Sequence, residues 1–207
     1  GSYTAKYFGS GNALSLAVET GEVNQSYSIS YTNPYYTDDG VSRGFDVYKQ
    51  NTDVSSLSVS TYDTATLGGG VRFSVPLTEY DRINYGLAME DTTTKLGTNA
   101  TQRYVEFIDL VGENTVTYKG TLGWMRDQRD SAIYPNNGTL QRLSGEAGLP
   151  GGDLTYYRLT YQHQWYYPLT EDLTMFLKGN LGYADGFSNK PLPFYKNFYA
   201  GGVNSVR

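Results

Sequence analysis

Long stretches of the chain alternate apolar and polar residues with a period of two. From Thr64 to Leu77 the odd-numbered positions are apolar or glycine, and the even-numbered positions as far as Ser74 are polar or glycine. Successive side chains of a β-strand point to opposite faces, so this pattern predicts a strand with one apolar face. As a helix, the same stretch would scatter its apolar residues around the cylinder.

The same alternation recurs along the sequence and predicts about nine antiparallel strands. They are expected near residues 14–18, 26–32, 41–50, 64–77, 82–90, 115–124, 143–149, 156–169 and 173–183. The residues before Leu14 are interpreted as a lead, residues 91–103 as a loop, and residues 104–111 as a strand or an ordered loop. Each predicted strand is near the length that a tilted strand needs to cross a bilayer.

Alternation alone does not distinguish a soluble barrel, whose apolar face points inward, from a membrane barrel, whose apolar face points outward. The positions of the aromatic residues help to decide between them. These residues gather near the ends of predicted strands, as in the aromatic girdles of membrane barrels: Tyr27, Tyr31, Tyr35, Tyr36, Trp124, Trp165, Tyr166 and Tyr167. We therefore expect a transmembrane barrel whose odd-numbered faces in 65–77 and 173–183 meet lipid. A soluble β-sandwich with a tyrosine-rich surface is the alternative.

Composition narrows the class of protein further. The 207 residues include 21 tyrosines and 24 glycines, which favours strands and turns. No run of about 18 apolar residues exists, so no membrane-spanning helix is predicted. The absence of cysteine excludes a disulfide framework, and the net charge of −5 argues against binding to nucleic acid. No linker divides the sequence, so residues 1–207 are expected to form one unit.

Candidate catalytic chemistry is sparse. His163, the only histidine, falls on an apolar face beside Trp165, and no serine stands out as a nucleophile for it. A place in an interfacial aromatic belt is the favoured interpretation. Paired aspartates occur at 38 and 39 and at 127 and 130, in predicted turns or strand ends where aspartate is common. We predict no catalytic residue, no metal site and no cofactor.

The last stretch of the sequence carries the candidate functional loop. Gly201 and Gly202 permit backbone conformations closed to other residues, and Arg207 offers five fixed hydrogen-bond donors to a carboxylate or carbonyl. Taken alone, these residues also fit an ordinary surface loop.

Several stretches, at residues 32–42, 134–139, 193–202 and 205–207, resemble the BamA family of outer-membrane protein assembly factors in order and spacing. The resemblance covers nearly the whole chain from about Phe8. In that family a sixteen-stranded barrel follows periplasmic repeat domains. A long extracellular loop after the eleventh strand folds into the lumen with a Val-Arg-Gly-aromatic motif, whose first two positions Val206 and Arg207 match. Residues 42–45 resemble this loop motif in sequence, but they lie in a predicted strand, and we assign them a structural role.

The resemblance implies that residues 1–207 are a partial outer-membrane barrel, about strands three to eleven plus the start of the in-folded loop. It implies a role in folding and inserting proteins into the bacterial outer membrane, without covalent chemistry. The implied partners are the lipid bilayer, client outer-membrane proteins and, through parts outside this sequence, assembly-machinery lipoproteins. The alternative functions are a passive porin or transporter barrel and a soluble β-sandwich binding module.

Overall fold

The computed structural model describes residues 1–9, 11–21, 23–53, 62–97, 100–188 and 190–198. These residues form ten β-strands, one α-helix and one short 3-10 helix. The strands are β1 (Ser2–Gly9), β2 (Asn12–Thr20), β3 (Asn24–Asn33), β4 (Ser42–Asp53), β5 (Tyr62–Pro76), β6 (Asp81–Leu96), β7 (Asn114–Asp127), β8 (Gly138–Gly148), β9 (Tyr156–Pro168) and β10 (Thr174–Gly186). Helix α1 (Gln102–Val111) connects β6 to β7, and the 3-10 helix (Phe194–Lys196) follows β10.

All ten strands belong to a single antiparallel sheet in which each strand pairs with its neighbours in sequence. Within the described residues β1 and β10 each have one strand partner, so this sheet is not closed. The all-β antiparallel prediction is confirmed, and a sandwich of two sheets is not what these strands form. The strand count exceeds the prediction by one, because residues 2–9 form β1 rather than a lead. Its Tyr7 pairs with Leu14 of β2.

The two faces of the sheet differ as the alternation predicts. Leu67, Leu87 and Leu122 on β5, β6 and β7 are 57, 60 and 63% exposed on one face, which we call the outer face. On the opposite, inner face the hydroxyls of Thr66 and Thr92 lie 3.0 Å apart. Arg72 there pairs with Asp46 across β4 and β5. The outer face is therefore apolar and exposed, whereas polar side chains pair with one another across the inner face.

Residues 91–103 were wrongly expected to form a loop, because β6 continues through Leu96. Thr92 and Thr94 are 4 and 1% exposed on the inner face. Threonine is β-branched, and a strand accommodates its side chain well, so a threonine-rich stretch extends β6 where polarity alone suggested a loop.

Residues 104–111 form most of α1, so the expectation of a strand or an ordered loop was also wrong. Tyr104, Phe107, Ile108 and Val111 follow a spacing of three and four residues, which places them on one face of a helix. Phe107 is buried in the cluster described below. None of the described helices has the length and apolar character needed to cross a membrane.

Candidate docking site on the inner face

The chain turns back over the inner face after β10. We call residues 190–198 the return segment. The residues that lead into this segment are held by Thr155, whose hydroxyl donates a hydrogen bond to the carbonyl oxygen of Phe187 at 2.8 Å. Lys190 Nζ then donates to the carbonyl oxygen of Asp153 at 2.6 Å. These contacts hold the start of the segment near the beginning of β9.

The return segment inserts Phe194, which is 2% exposed, into a cluster of rings. The ring centroid of Phe194 lies 4.2 Å from that of Tyr104, 4.8 Å from Tyr62 and 5.5 Å from Phe107. We define the aromatic cluster as the buried residues Tyr62, Phe107, Leu154, Tyr156 and Phe194 with the adjoining Tyr104 and Tyr195. Because these residues come from β5, α1, β9 and two connecting segments, Phe194 joins α1 to the sheet.

Tyr195 packs beside Phe194 with its ring centroid 5.4 Å away. Burial raises the pKa of Tyr195 to about 12, because the charged phenolate loses its hydration there. The side chain therefore stays neutral throughout the physiological pH range and contributes by packing.

Lys196 reaches two carboxylates that project from different strands. Its Nζ lies 3.5 Å from Glu90 Oε2 on β6 and 3.4 Å from Glu146 Oε1 on β8. Glu90 also contacts Lys119 Nζ of β7 and accepts a hydrogen bond from the hydroxyl of Tyr48. We define the ionic cluster as Tyr48, Glu90, Lys119, Glu146, Tyr156 and Lys196. It contains two carboxylates and two ammonium groups, so its formal charge is zero.

The strand sequences explain how these side chains meet. Tyr156 Oη donates to Glu146 Oε1 at 2.5 Å from the neighbouring strand. Tyr48 reaches Glu90 by crossing β5 at Gly68, where a Cβ atom would lie 2.5 Å from the Tyr48 ring. Such an approach is tighter than van der Waals contact allows, so a glycine at this position lets the phenol span an intervening strand.

A third contact lies at the end of the return segment. The Arg158 guanidinium lies 4.4 Å from the ring centroid of Phe198, which suits a cation–π interaction. A Cβ atom at Gly182 would lie 2.7 Å from the same ring. Because glycine has no side chain, Gly182 on β10 leaves room for the Phe198 ring to pack against the sheet.

The residues predicted for the functional loop, Gly201, Gly202, Val206 and Arg207, lie outside the described residues. Residues 42–45 lie in β4, as their structural role requires. His163 is on β9, where Nδ1 lies 3.4 Å from Tyr161 Oη.

The turn interpretation of the aspartates holds for Asp130. The backbone N–H groups of Asn136 and Asn137 donate to it at 3.0 and 3.2 Å. These bonds, that from Asn137 foremost, lower its pKa below the ordinary value. Within the described ranges, no group of three or more His, Asp or Glu side chains could hold a metal ion.

The residues of the aromatic and ionic clusters were not predicted as a site. Two signals in the sequence point toward them. Glu90, Lys119 and Glu146 are charged residues at polar-face positions of predicted strands. Pro193 and Phe194 begin one of the stretches that resemble the assembly-factor family, but the sequence does not show which strands meet beneath them.

Taken together, the single antiparallel sheet, the apolar outer face and the polar inner face carrying an inserted segment define a portion of an outer-membrane-type β-barrel. The chain belongs to the Omp85 superfamily, whose domain matches residues 6–207.

Known proteins similar to this chain are outer membrane protein assembly factors named BamA. The factor of Neisseria meningitidis serogroup B is 41% identical over 97% of this chain and 26% of its own length. That of Nitratidesulfovibrio vulgaris is 25% identical over 97% of the chain and 24% of its own length. The chain thus spans about a quarter of these curated relatives. The sequence resemblance to the BamA family is confirmed.

A solved structure shows the same fold. The crystal structure of BamA from Haemophilus ducreyi lacking POTRA domains 1–3 matches all of this chain with a TM-score of 0.91 and 25% identity. The match covers 42% of that structure's chain.

Proposed function

We propose that this chain is part of a machine that folds and inserts β-barrel proteins into the bacterial outer membrane. The observation that carries the proposal is its 41% identity, across 97% of its residues, to an outer membrane protein assembly factor. The proposed partners are the lipid bilayer, against the outer face, and client outer-membrane proteins. Lipoproteins of the assembly machinery are proposed to bind parts of the intact protein outside this sequence.

We further propose that residues 1–207 are part of a sixteen-stranded barrel and begin its in-folded loop. If the return segment starts the loop after the eleventh strand, the ten described strands correspond to strands two to eleven. Residues 201, 202, 206 and 207 then continue the loop into the lumen. The docked return segment supports this arrangement, because it already turns toward the inner face at Phe194 and Lys196.

The proposed mechanism is mechanical and uses no covalent step. An exposed apolar outer face anchors the barrel in lipid, and the docked loop stabilises the barrel shape in which clients are inserted. A chain of this kind assists folding by offering strand edges and a perturbed bilayer rather than a reactive group. This chain is accordingly proposed not to be an enzyme.

Complementation tests the proposed function. The intact protein carrying this sequence is expressed in Gram-negative cells depleted of their own assembly factor, and heat-resistant folded barrels in the outer membrane are quantified. Restored client barrels support the proposal. A protein that inserts into the membrane and conducts ions, yet leaves client barrels depleted, is a passive pore, and the proposal fails.

The lipid-facing assignment predicts a contrast between two arginine substitutions on β5. In the intact protein, Val71→Arg on the outer face is expected to cost about 2–4 kcal/mol near the bilayer midplane. Thr66→Arg on the inner face is expected to be milder, because the half-buried Thr66 lies among polar side chains such as Thr92 rather than in hydrocarbon. Denaturant titration of folding in phospholipid vesicles measures both, and equal costs would refute the assignment.

Arg207→Ala in the intact protein is predicted to loosen the in-folded loop and to reduce client accumulation while membrane insertion of the protein itself largely survives. A guanidinium inside a lumen needs carboxylate or carbonyl partners, and one charge-assisted contact contributes about 1.5–3 kcal/mol. Client accumulation and protease sensitivity of the loop are measured together. If both are unchanged, Arg207 is an ordinary loop residue.

A further inference from the structure

We propose that Lys196 is the positioning residue that selects the docked register of the return segment. The Glu90 and Glu146 carboxylates form the receptor for its ammonium group. This assignment adds a specific contact to the proposed function. Only its expected effect on client proteins in cells rests on that function. Docking of the return segment is measured separately, on the reconstituted protein.

Lys196 balances the charge of the ionic cluster. The side chains of Glu90 and Glu146 are 8 and 23% exposed, and that of Lys196 is 21% exposed. Without Lys196, Lys119 is the remaining ammonium group of the ionic cluster against two carboxylates. Partly desolvated carboxylates that lose a counter-charge are costly, so the cluster favours occupation by a cation.

The apolar and the ionic contacts of the return segment differ in how strongly they depend on its position. Phe194 is buried in the aromatic cluster, but the hydrophobic effect that favours its burial is not directional. Lys196 follows Phe194 by two residues, and its ammonium group must lie within ion-pair distance of both carboxylates. A shift of the segment by one residue would present Tyr195 or Asn197 to the carboxylates, and neither side chain carries a positive charge. The ionic contact therefore discriminates between registers that the apolar contact alone does not.

The ionic cluster draws its side chains from five strands as well as from the return segment. Tyr48, Glu90, Lys119, Glu146 and Tyr156 come from β4, β6, β7, β8 and β9. The Nζ atom of Lys196 also lies 5.7 Å from the Tyr156 ring centroid. A change in the relative position of β6 and β8 separates Glu90 from Glu146 and weakens the hold on Lys196. Docking of the segment thus depends on the shape of the inner face.

Cysteine labelling tests the docking directly, because residues 1–207 contain no cysteine. Any cysteine elsewhere in the intact protein is first replaced by serine. Leu192→Cys places one thiol on the return segment, where the leucine packs against the aromatic cluster. The intact protein is reconstituted in phospholipid vesicles, and the rate of maleimide labelling is measured. We expect Lys196→Met to speed labelling at least about tenfold, because it leaves two mostly buried carboxylates with one counter-charge fewer. Lys196→Arg keeps the charge and is expected to label clearly more slowly than Lys196→Met.

Further variants separate a specific contact from general loosening. Lys178→Met removes an exposed lysine from β10 on the same face and is the matched control, expected to leave the rate unchanged. Glu146→Gln, alone and combined with Lys196→Met, removes the Lys196–Glu146 pair while Glu90 stays in place, which completes a double-mutant cycle. The effect of the double variant is expected to be clearly smaller than the product of the two single effects, since contacting residues are not additive.

Lys196 is not the positioning residue if Lys196→Met labels at the Lys178→Met rate, or if the double variant is simply multiplicative. Retained heat-dependent gel mobility in every variant verifies that the barrel is folded. Client accumulation in cells is scored separately. Faster labelling with normal clients supports the register assignment and counts against the functional role of docking, so the two claims fail independently.

Discussion

Phe194→Ala in the intact protein is expected to lower the free energy of unfolding by about 3–5 kcal/mol, the range for truncating a buried phenylalanine. The ring is 2% exposed and contacts the rings of Tyr62 on β5 and of Tyr104 and Phe107 on α1. Its removal leaves a cavity at the point where the return segment meets the sheet. The segment is tethered at both ends, so its collapse into the cavity is restricted. Denaturant titration in phospholipid vesicles gives the free energy.

Tyr134→Ala is the matched control for Phe194→Ala, because Tyr134 is 82% exposed in the connection between β7 and β8, away from the edges of the described sheet. Its effect is expected to remain within about 0.5 kcal/mol, as for surface substitutions. The Phe194 variant should also become sensitive to protease within residues 190–198 before the barrel unfolds. A loss below about 1 kcal/mol, or unchanged protease resistance, would mean that Phe194 does not hold the segment in place.

Strand faces were predictable because they depend on local alternation alone. The outer set of β5, including Leu67 and Val71, follows from the period of two without knowledge of any partner strand. The missed strand β1 shows the limit of this signal. Tyr3, Ala5 and Tyr7 alternate with Thr4 and Lys6, but alanine and tyrosine make a weak contrast with polar residues. Hydrogen-bonded pairing with β2 therefore stabilises residues 2–9 as a strand, although their apolar–polar alternation is weak.

Helix α1 was missed for a different reason. Its apolar positions follow the helical spacing of three and four residues, but the helix spans only residues 102–111 and follows a threonine-rich stretch. Isolated helices of this length are marginal in water, so packing stabilises them more than propensity does. Phe194, which supplies part of that packing, lies more than eighty residues later in the sequence.

The ionic cluster was beyond the reach of sequence patterns. Glu90 and Lys119 could each be assigned to a polar face, but their meeting depends on the registers of successive strand pairs. Lys196 depends in addition on the path of a segment with no periodicity. The sequence thus predicted which residues are polar and inward, whereas the structure shows which of them form one site.

The buried and exposed ion pairs of the inner face should differ sharply in their contribution to stability. Glu90→Gln is expected to lower the free energy of unfolding by about 3 kcal/mol, because it leaves Lys119 without its carboxylate in a site where both side chains are at most 15% exposed. Asp46→Asn is expected to cost at most about 1 kcal/mol, since Arg72 is 46% exposed and water compensates for the lost partner. Both changes replace a carboxylate by an amide of similar size.

Denaturant titrations of the two variants at low and high salt provide the measurement. Salt screens the exposed Asp46–Arg72 pair, so the cost of Asp46→Asn should shrink further at high ionic strength. The cost of Glu90→Gln should persist, because the partners of Glu90 are shielded from solvent by the return segment and by neighbouring strands. Equal costs for the two variants, or a Glu90→Gln cost that salt abolishes, would show that the ionic cluster is hydrated like the open lumen. The Glu90 carboxylate would then contribute no more to the docked state than a surface charge.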